Sequence, residues 1–570
     1  MSEVLKNLNS RQLRVAEHQY GPLMVVAIPG AGKTRSIVAR TVKLIKKGVD
    51  PSKILSITFT NKAAEELKIR IAKLVGTKVT ACTFHSYCYK LLKNKGNFSI
   101  ATDSDSERLV KDVCRSQKIE ADKFGDMHSR IMYIKDTGTS PKNELEEKIL
   151  KLYNEKLYNA HTLDFADLLI YGEKILQKEK QPFEYIQVDE YQDVNQRQFN
   201  IARLLAHNDN LCVVGDSDQA IYSFRGSDSS YLLKFSEFYP NCETIKLEQN
   251  YRSAQKILDF SANVISNNTI RDQKELNSNI SGKSPILLKS RTDLDEADLV
   301  IEKISDFKRN GKSYEDIAIL VRTGWASSTI ERKLREVRIP HRVVGSYSFY
   351  ERSEIRDALG MLRYAYNRKD YLAFERISVS LPKIGKKTAE AGFEKHNKKL
   401  DWVYTSADKL VEYKEKTRNA IKDIWDEIDF KKVLKEKYPE DYPERLKNFD
   451  QLIGMFVESN MTMEENLGFI ALTAKSDEWD ETDEALSVVT CHAAKGKEWD
   501  TVFVVGCDEN LFPHSLAIAG GEVEEERRLF YVACTRAKNN LFLTTSETRY
   551  MWGTYNEMNP SRFLSEGFKA

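Results

Sequence analysis

Two glycines, a lysine and a threonine lie close together near the start of the sequence, in the segment Ala27-Ile28-Pro29-Gly30-Ala31-Gly32-Lys33-Thr34. An apolar run over residues 23–28 predicts a strand before them, and a helix is predicted to begin at about Lys33. The N–H groups of a glycine-rich turn and the N-terminus of a helix both attract phosphate. The segment therefore predicts a P-loop in which Lys33 contacts the β- and γ-phosphates of a nucleotide and Thr34 binds Mg²⁺.

The generic P-loop pattern begins with glycine, whereas this segment begins with Ala27. The alternative is a chance Gly-Lys-Thr in an ordinary turn, and the strand and helix on either side argue against it. We expect the nucleotide to contact Pro29, Gly30, Ala31, Gly32, Lys33, Thr34 and Arg35.

An acidic pair, Asp189 and Glu190, follows a second apolar run over residues 185–188. In open α/β sheets, ligands bind at the carboxyl ends of the strands. We expect Asp189 to bind Mg²⁺ through water, and Glu190 to orient and deprotonate the water that attacks the γ-phosphate. Taken alone, such a pair is more often the N-cap of a helix. The presence of a P-loop favours the catalytic interpretation.

Phosphoryl transfer also needs positive charge where negative charge develops. Two arginines are candidates for this role: Arg252 in Gln249-Asn250-Tyr251-Arg252-Ser253, and Arg536 in Val532-Ala533-Cys534-Thr535-Arg536-Ala537. A second core could supply them as arginine fingers. Without that context, each would be interpreted as a surface salt bridge.

The elements that must position these residues are short apolar runs followed by helical segments. Two charged stretches between them have helical spacing. We therefore predict an α/β protein with two cores of parallel sheet and flanking helices, each core interrupted by a mainly helical insertion. The predicted parts are a first core (1–93 and 182–247), a first insertion (94–181), a second core (248–366 and 485–570) and a second insertion (367–484).

The composition limits the possible classes of function. The 570 residues carry a net charge of only +2, so any nucleic-acid site must be local rather than spread over the whole protein. The eight cysteines include no CxxC pair, which favours buried thiols over a zinc ribbon or a disulfide framework. The apolar runs are too short to span a bilayer, and the first residues lack the apolar core of a secretion signal. We expect a cytoplasmic protein that does not bind membranes.

Taken in order, these and further motifs resemble the UvrD/Rep family of superfamily 1A helicases over almost the whole chain. In that family the P-loop begins with alanine. The motifs that carry the resemblance are Leu8-Asn9 with Gln12, the P-loop, 57–64, Thr83-Phe84-His85-Ser86, Asp189-Glu190-Tyr191-Gln192-Asp193, 214–226, 249–253, 490–499, Phe512-Pro513-His514 and 525–537.

The resemblance implies two RecA-like cores that bind ATP and Mg²⁺ between them. It implies that Gln12 reads the adenine edge and that Tyr251 stacks on the adenine. It further implies that Gln219 senses the γ-phosphate and that Glu498 contacts the ribose. Binding of ATP would close the two cores, and hydrolysis would reopen them.

Single strands are bound by stacking bases on aromatic rings and by tracking phosphates with cations. The aromatic residues beside the motif loops are Phe59, Tyr222 and Phe224, with Arg225 adjacent. Taken alone, each aromatic side chain would be assigned to core packing. The resemblance implies movement along single-stranded DNA in the 3′ to 5′ direction and binding at single-strand/duplex junctions. The further nucleic-acid contacts that we expect are Asn61, Thr83, His85, His492 and His514.

The chain departs from the family pattern at two positions. Arg322-Thr323-Gly324-Trp325 replaces the usual Arg-Thr-Asn, and Lys497 replaces an apolar residue. Two charged segments have a purely structural interpretation beside a functional one. The turn at 382–388 is either a duplex-phosphate contact or an exposed basic turn, and the run 522–528 alone indicates a solvated helix face.

Three alternatives to a helicase remain open at this point. The first is a translocase that strips proteins or RNA from DNA. The second is a small-molecule kinase or ATPase that is indifferent to nucleic acid. The third is a nucleic-acid-binding switch that turns over slowly.

Overall fold

The computed structural model describes residues 7–120, 123–344, 350, 352–412, 420–438, 442–458, 462–471, 484–551 and 554–569. The chain divides into two compact units. One comprises Met1–Thr83, Lys180–Ser346 and Ala474–Ala570, and the other Phe84–Glu179 and Tyr347–Thr473. We call them the motor unit and the helical unit.

In chain order, the strands of the described residues are β1 (Leu23–Ala27), β2 (Ile54–Ile57), β3 (Thr80–Cys82), β4 (Ser99–Ile100), β5 (Thr162–Leu163), β6 (Tyr185–Val188), β7 (Leu211–Gly215), β8 (Glu243–Leu247), β9 (Gln249–Asn250), β10 (Asn277–Ser278), β11 (Ile286–Ser290), β12 (Ile317–Val321), β13 (His341–Val344), β14 (Leu486–Thr490), β15 (Trp499–Val505), β16 (Ala537–Ser546), β17 (Thr548–Met551) and β18 (Thr554–Glu557).

The α-helices of the motor unit are Ser10–Glu17, Lys33–Lys46, Asn61–Val75, Gln196–Leu205, Ser230–Leu233, Phe235–Phe238, Gln255–Ile265, Asp293–Arg309, Ser328–Glu336, Ser515–Ala519, Val523–Cys534 and Arg562–Gly567. Those of the helical unit are Phe84–Lys93, Asp103–Ser116, Phe124–Thr137, Glu144–Asn159, Phe165–Leu176, Ser353–Tyr366, Tyr371–Ser378, Lys386–Glu394, Asp401–Glu412, Ala420–Glu427, Phe430–Lys437, Tyr442–Glu458 and Met463–Ala471.

The first core of the motor unit is a six-stranded sheet in the order β3-β2-β6-β7-β1-β8, with every pairing parallel. Its central strands are buried along their whole length, because helices cover both faces of a parallel sheet. The carboxyl ends of β1, β6 and β7 therefore meet at one edge. They lead into the P-loop, the acidic pair and the segment that carries Gln219.

The second core is another parallel six-stranded sheet, in the order β11-β16-β15-β12-β14-β13. The helix Val523–Cys534, which we call the finger helix, lies before β16 and ends two residues before Arg536. Its buried face includes Leu529, Phe530 and Val532, which pack in the core of this sheet. The predicted fold class, two parallel α/β cores with flanking helices, is confirmed.

The helical unit is built from both predicted insertions, but its parts begin earlier than the sequence placed them. It starts at Phe84 rather than residue 94, because the helix Phe84–Lys93 packs on Phe165–Leu176, with Cys88 against Gly172. Its second part starts at Tyr347 rather than residue 367, because Ser353–Tyr366 belongs to the apolar core of this unit. A small parallel pair, β4 with β5, interrupts the otherwise helical first part.

Candidate nucleotide and nucleic-acid site

The P-loop adopts a conformation that its glycines make possible. Gly30 and Gly32 both lie in the left-handed region, with φ of 69° and 78°. A Cβ on Gly30 would lie 2.7 Å from Nδ2 of Asn250 and 2.8 Å from Cβ of Arg252. The loop therefore approaches the segment that links the two cores so closely that only glycine fits.

We expect Gly30→Ala to abolish tight nucleotide binding, with Gly21→Ala as a matched control. Gly21 has a similar φ of 83° but no neighbour within 4 Å, and it lies at the opposite, amino end of β1. Backbone strain alone should cost each variant about 1–2 kcal/mol of unfolding free energy, and the clash should add to this at Gly30. Urea unfolding and nucleotide titration would measure both effects. Equal nucleotide affinity in the two variants would contradict the argument.

Lys33 and the acidic pair form one buried charge cluster. Nζ of Lys33 donates to Oε2 of Glu190 at 2.9 Å, and Nε2 of Gln192 donates to the same oxygen at 2.6 Å. Burial would raise the pKa of Glu190, but the ammonium of Lys33, followed by that of Lys495, lowers it. Burial and then the charge of Glu190 raise the pKa of Asp189. A cation beside Asp189 would therefore stabilise its ionised form.

The donor set beside Asp189 fits Mg²⁺. Its carboxylate accepts a hydrogen bond from the hydroxyl of Thr34, so two hard oxygen ligands lie together at the end of the P-loop. Mg²⁺ in nucleotide sites takes one or two protein oxygens, with phosphates and waters as its other ligands. In the described part of the chain, no group of three or more His, Cys, Asp or Glu could hold a metal by itself.

Gln219 and Arg536 are bonded to each other across the two cores. Nε2 of Gln219 donates to Oδ2 of Asp216 at 2.6 Å, and its Oε1 accepts from Nη2 of Arg536 at 3.1 Å. Arg536 also donates through Nε to the carbonyl of Val532 at 2.9 Å, which fixes it to the finger helix. Burial, followed by the charge of Arg252, lowers the pKa of Arg536 to about 9. An anion placed beside Arg252 and Arg536 would therefore be stabilised by both positive charges.

The segment around Arg252 is attached to the P-loop by direct hydrogen bonds. Nδ2 of Asn250 donates to the carbonyl of Pro29 at 2.7 Å, and the N–H of Tyr251 donates to the carbonyl of Gly30 at 3.0 Å. The structure thus brings Arg252 to the nucleotide loop, as predicted. The guanidinium of Arg252 pairs with Glu498.

Glu498 is therefore already engaged, by Arg252 and by Lys538 at 3.0 Å. Gln12 is engaged as well. Its Oε1 accepts from the N–H of Asn9, and its Nε2 donates to the carbonyl of Ala31 at 2.9 Å. The ribose and adenine contacts of these two residues stay predictions. Tyr251 is 53% exposed, and its hydroxyl accepts from Nδ2 of Asn9 at 2.8 Å.

Sequence reasoning missed several residues that join the two cores behind the phosphate site. Lys495, in the 490–499 motif, pairs with Asp193 and donates to the carbonyl of Gln219 at 2.7 Å. Burial nevertheless raises the pKa of Asp193 to about 6. The position of Lys495 before Gly496 in a recognised motif was an available signal.

A second set of residues that the sequence did not predict forms ion pairs with Asp216, which accepts from Gln219, and with Asp218. Lys274 is 1% exposed at its side chain and pairs with Asp216 and, at 3.1 Å, with Asp218. Arg271 makes a bidentate contact with Asp218 at 3.0 and 2.7 Å. The mixed polar sequence around these two basic residues has no spacing that predicts the contact.

The predicted aromatic residues form one continuous surface. The rings of Phe59 and Tyr222 are stacked, with centroids 5.0 Å apart and planes 12° apart. Tyr222 contacts Phe224, whose ring in turn meets the edge of His492 at 5.7 Å. Arg225 lies over Tyr222 and Phe224. Phe224 is 61% exposed, so the core-packing alternative does not apply to it.

His492 brings a ring from the second core to this surface, and its charge state follows from its surroundings. Burial, followed by the charge of Arg322, lowers the pKa of His492 to about 4. The ring is therefore neutral at physiological pH, so it can stack or donate one hydrogen bond but cannot offer a full charge to a phosphate.

The remaining predicted nucleic-acid residues are placed less directly. Asn61 begins the helix Asn61–Val75, and Thr83 is buried after β3. His85 lies in the helical unit, edge-on to Phe165. The N–H of His514 donates to Glu526 at 2.9 Å. The roles of these four residues in nucleic-acid binding stay predictions.

The run 522–528 is not the solvated helix face that its composition indicated. Glu524 accepts from the N–H of Thr269 at 2.9 Å, and Glu525 accepts from the N–H of Ser223 at 3.1 Å. Glu526 forms a bidentate pair with Arg322. Consecutive glutamates are bound here by three different partners, which helical periodicity alone does not reveal.

Lys497 departs from the family pattern without disturbing the site. Nη1 of Arg536 donates to the backbone carbonyl of Lys497 at 3.3 Å. Because the contact uses the main chain, it does not depend on the residue type at this position.

Among the described residues, no helix combines the length and the apolar character that crossing a bilayer requires.

Comparison with known proteins agrees with this geometry. Residues 8–240 match the UvrD/REP helicase N-terminal domain, and residues 245–406 and 394–548 match the UvrD-like helicase C-terminal domain. The ATP-dependent DNA helicase PcrA of Staphylococcus epidermidis is 35% identical, in an alignment that covers 99% of this chain and 87% of the relative. The protein of the same name from Staphylococcus aureus is 34% identical with the same coverage. The resemblance seen in the sequence is thus confirmed, and the chain belongs to the UvrD/REP helicase family.

Proposed function

We propose that this helicase hydrolyses ATP with Mg²⁺ to move along single-stranded DNA in the 3′ to 5′ direction and to unwind duplex DNA at junctions. One observation carries the proposal. Lys33 pairs with Glu190 within the first core, and the second core reaches the same core at two points: the segment of Arg252 is bonded to the P-loop through Asn250, and Arg536 is bonded to Gln219. Cleavage of one phosphate can therefore change the contact between the cores.

The nucleotide would be held by the P-loop amides and by Lys33, with Mg²⁺ held by Thr34 and by Asp189 through water. When bound, the cation neutralises phosphate charge as it develops. Phosphates would compete with Glu190 for the ammonium of Lys33. Because that ion pair is what lowers the pKa of Glu190, its loss makes the carboxylate a stronger base for the attacking water.

The γ-phosphate would also reorganise the contact between Gln219 and Arg536. In the structure each satisfies the other, at 3.1 Å. A phosphate between them accepts hydrogen bonds from Arg536 and from the side-chain amide of Gln219, so both cores bind one anion. Loss of that anion after hydrolysis would remove the contact that both cores share through it and would leave the direct bond between Gln219 and Arg536.

The stacked aromatic surface would transmit this change in the contact between the cores to the bound DNA. Phe59 and Tyr222 touch each other at 5.0 Å, so a base enters between them only if the rings part. Phe224 and His492 come from different cores and are in contact. Closing and opening of the cores therefore changes the spacing of base-stacking rings, which moves the strand if the two sides hold it alternately.

A junction contact is proposed for the turn between Tyr371–Ser378 and Lys386–Glu394 in the helical unit. Lys386 pairs with Asp112 at 2.9 Å, so it is the less available cation of this turn. Lys383 and Lys387 are the better candidates for duplex phosphates.

The proposal is tested by measuring ATP hydrolysis with single-stranded DNA, RNA, duplex or no nucleic acid. Strand displacement is then compared on substrates with 3′ and 5′ tails. We expect strong stimulation by single-stranded DNA and displacement from the 3′ tail. ATP hydrolysis that no nucleic acid stimulates would contradict the proposed motor function. Stimulation of ATP hydrolysis by RNA alone would indicate an RNA substrate. Stimulation without strand displacement would indicate a translocase.

We expect Phe224→Ala to weaken binding of single-stranded DNA by about 1–3 kcal/mol, the usual contribution of one stacked base. Because Phe224 is 61% exposed, the variant should unfold at the wild-type temperature. Tyr20→Ala is the matched control, since Tyr20 is 69% exposed but precedes the amino end of β1. Fluorescence anisotropy with labelled oligo(dT) would measure the affinities. Equal weakening in both variants would argue against a specific stacking role.

A further inference from the structure

The finger helix joins the nucleotide site to the base-stacking surface. Its 12 residues, Val523–Cys534, span about 18 Å. Arg536 is fixed to its carboxyl end through the carbonyl of Val532. Glu525 lies in its first turn, at the other end.

The residue that Glu525 contacts stands in the middle of the stacking loop. Ser223 lies between Tyr222 and Phe224 in the sequence and is the first residue of a short 3-10 helix, Ser223–Arg225. The N–H of Ser223 donates to Oε1 of Glu525 at 3.1 Å, and its hydroxyl donates to Oε2. The contact therefore crosses from the second core to the first.

The contact with Glu525 supplies a hydrogen-bond acceptor that the loop itself does not provide. The first N–H groups of a helix have no partner within it, and a side chain at the N-cap normally accepts from them. Tyr222 occupies the N-cap of this 3-10 helix and makes no such bond. Glu525 accepts from the first N–H instead, so the cap of the stacking loop is supplied by the other core.

The neighbouring glutamates do not share this role. Glu524 bonds to Thr269, and Glu526 bonds to Arg322 and to the N–H of His514, so both hold the helix within the second core. Burial raises the pKa of Glu525, despite its bonds to Ser223.

We propose that Glu525 is a positioning residue that caps the Ser223–Arg225 turn from the second core, so that the stacking loop is ordered only while the finger helix is docked at the nucleotide site. The inference rests on the proposed function, because it gives the route by which the nucleotide alters the grip on DNA. Closure brings the cap into place, and opening withdraws it.

The experiment measures the affinity for labelled oligo(dT) with and without a non-hydrolysable ATP analogue. The ratio of the two affinities reports the coupling between the sites, which is typically about 5- to 150-fold in coupled proteins. We expect Glu525→Ala, which removes both acceptor oxygens, to reduce this ratio by about tenfold, as loss of a capping contact does. Ser223→Ala removes only the hydroxyl bond and keeps the backbone N–H, so it should reduce the ratio less. Glu524→Ala, one residue away on the same helix, should keep the wild-type ratio. The double variant of Glu525 and Ser223 should lose no more than Glu525→Ala alone.

Glu525→Asp separates capping from simple charge repulsion. It keeps the negative charge but is one methylene shorter, so it should lose the coupling as Glu525→Ala does. If Glu525 acted only by repelling DNA, Glu525→Ala would tighten binding equally with and without the analogue, and the ratio would not change. That result, or a wild-type ratio in Glu525→Asp, would overturn the inference. Basal ATP hydrolysis without DNA, measured beside it, shows that the variants are folded and competent.

The two proposals fail in different ways. If DNA does not stimulate the wild-type enzyme, the motor itself fails and this inference fails with it. If DNA stimulates the wild-type enzyme and the ratio survives in Glu525→Ala, only the capping role is wrong.

Discussion

Replacing Arg536 by alanine should lower kcat for ATP hydrolysis by about 10³–10⁵-fold, the usual contribution of an arginine finger. The guanidinium is 2% exposed, and its hydrogen-bond partners are the carbonyls of Val532 and Lys497, the Thr535 hydroxyl and the Gln219 amide. These partners are neutral, so the charge of Arg536 is held ready for an anion. The loss should therefore appear in kcat more than in the affinity for ATP.

Arg536→Lys should not rescue this activity. Three nitrogens of the arginine point at three different acceptors, whereas an ammonium offers one point charge. Arg562→Ala is the control, since Arg562 pairs with Glu509 at the surface. Steady-state turnover with saturating DNA would measure all three variants. A lysine variant with near wild-type turnover would contradict the finger geometry.

Glu190→Gln should lower kcat by about 10²–10⁴-fold, which is the usual contribution of a general base. The substitution keeps the size of the side chain and its bond from Gln192, but it removes the ability to accept a proton. The fold should tolerate it. Without the charge of Glu190, the pKa of Asp189 falls, and Asp189 can pair with Lys33 instead.

Glu184→Gln is the matched control for this variant. Glu184 lies just before β6 and Glu190 just after it, and the side chain of Glu184 makes a long surface contact with Lys53 at 3.9 Å. Single-turnover hydrolysis would separate the chemical step from product release. If Glu190→Gln hydrolysed ATP at the control rate, another residue would have to be the base.

The central strands of both sheets could be predicted because they are buried on both faces and appear as short continuous apolar runs. The predicted strand at 185–188 agrees with β6 residue for residue. Within the two six-stranded sheets, the strands that sequence reasoning missed are β3, β8 and β13, and each lies at an edge. Edge strands have partly exposed faces, and β8 accordingly reads Glu-Thr-Ile-Lys-Leu, without a continuous apolar run.

The nucleotide loop was predictable for a related reason, since its residues are adjacent in sequence and end a central strand. The partners that join the two cores were not predictable. Lys274 contacts Asp216, and Glu525 contacts Ser223, across sequence separations that no local pattern reports. Such pairs become visible only when both sheets are in place, and they support the predicted residues without belonging to them.

The strand order of the first sheet has a consequence for the synthesis of the protein. β1 lies between β7 and β8, so Leu23 faces Cys212 on one side and Glu243 on the other. A nascent chain that has not reached Leu211 therefore carries a fully apolar strand with no sheet neighbour. Such long-range pairing slows folding and exposes apolar surface to aggregation and to chaperones. The P-loop strand is thus made first but completed last, and the ribosome must deliver most of the first core and its insertion before the strand can be covered.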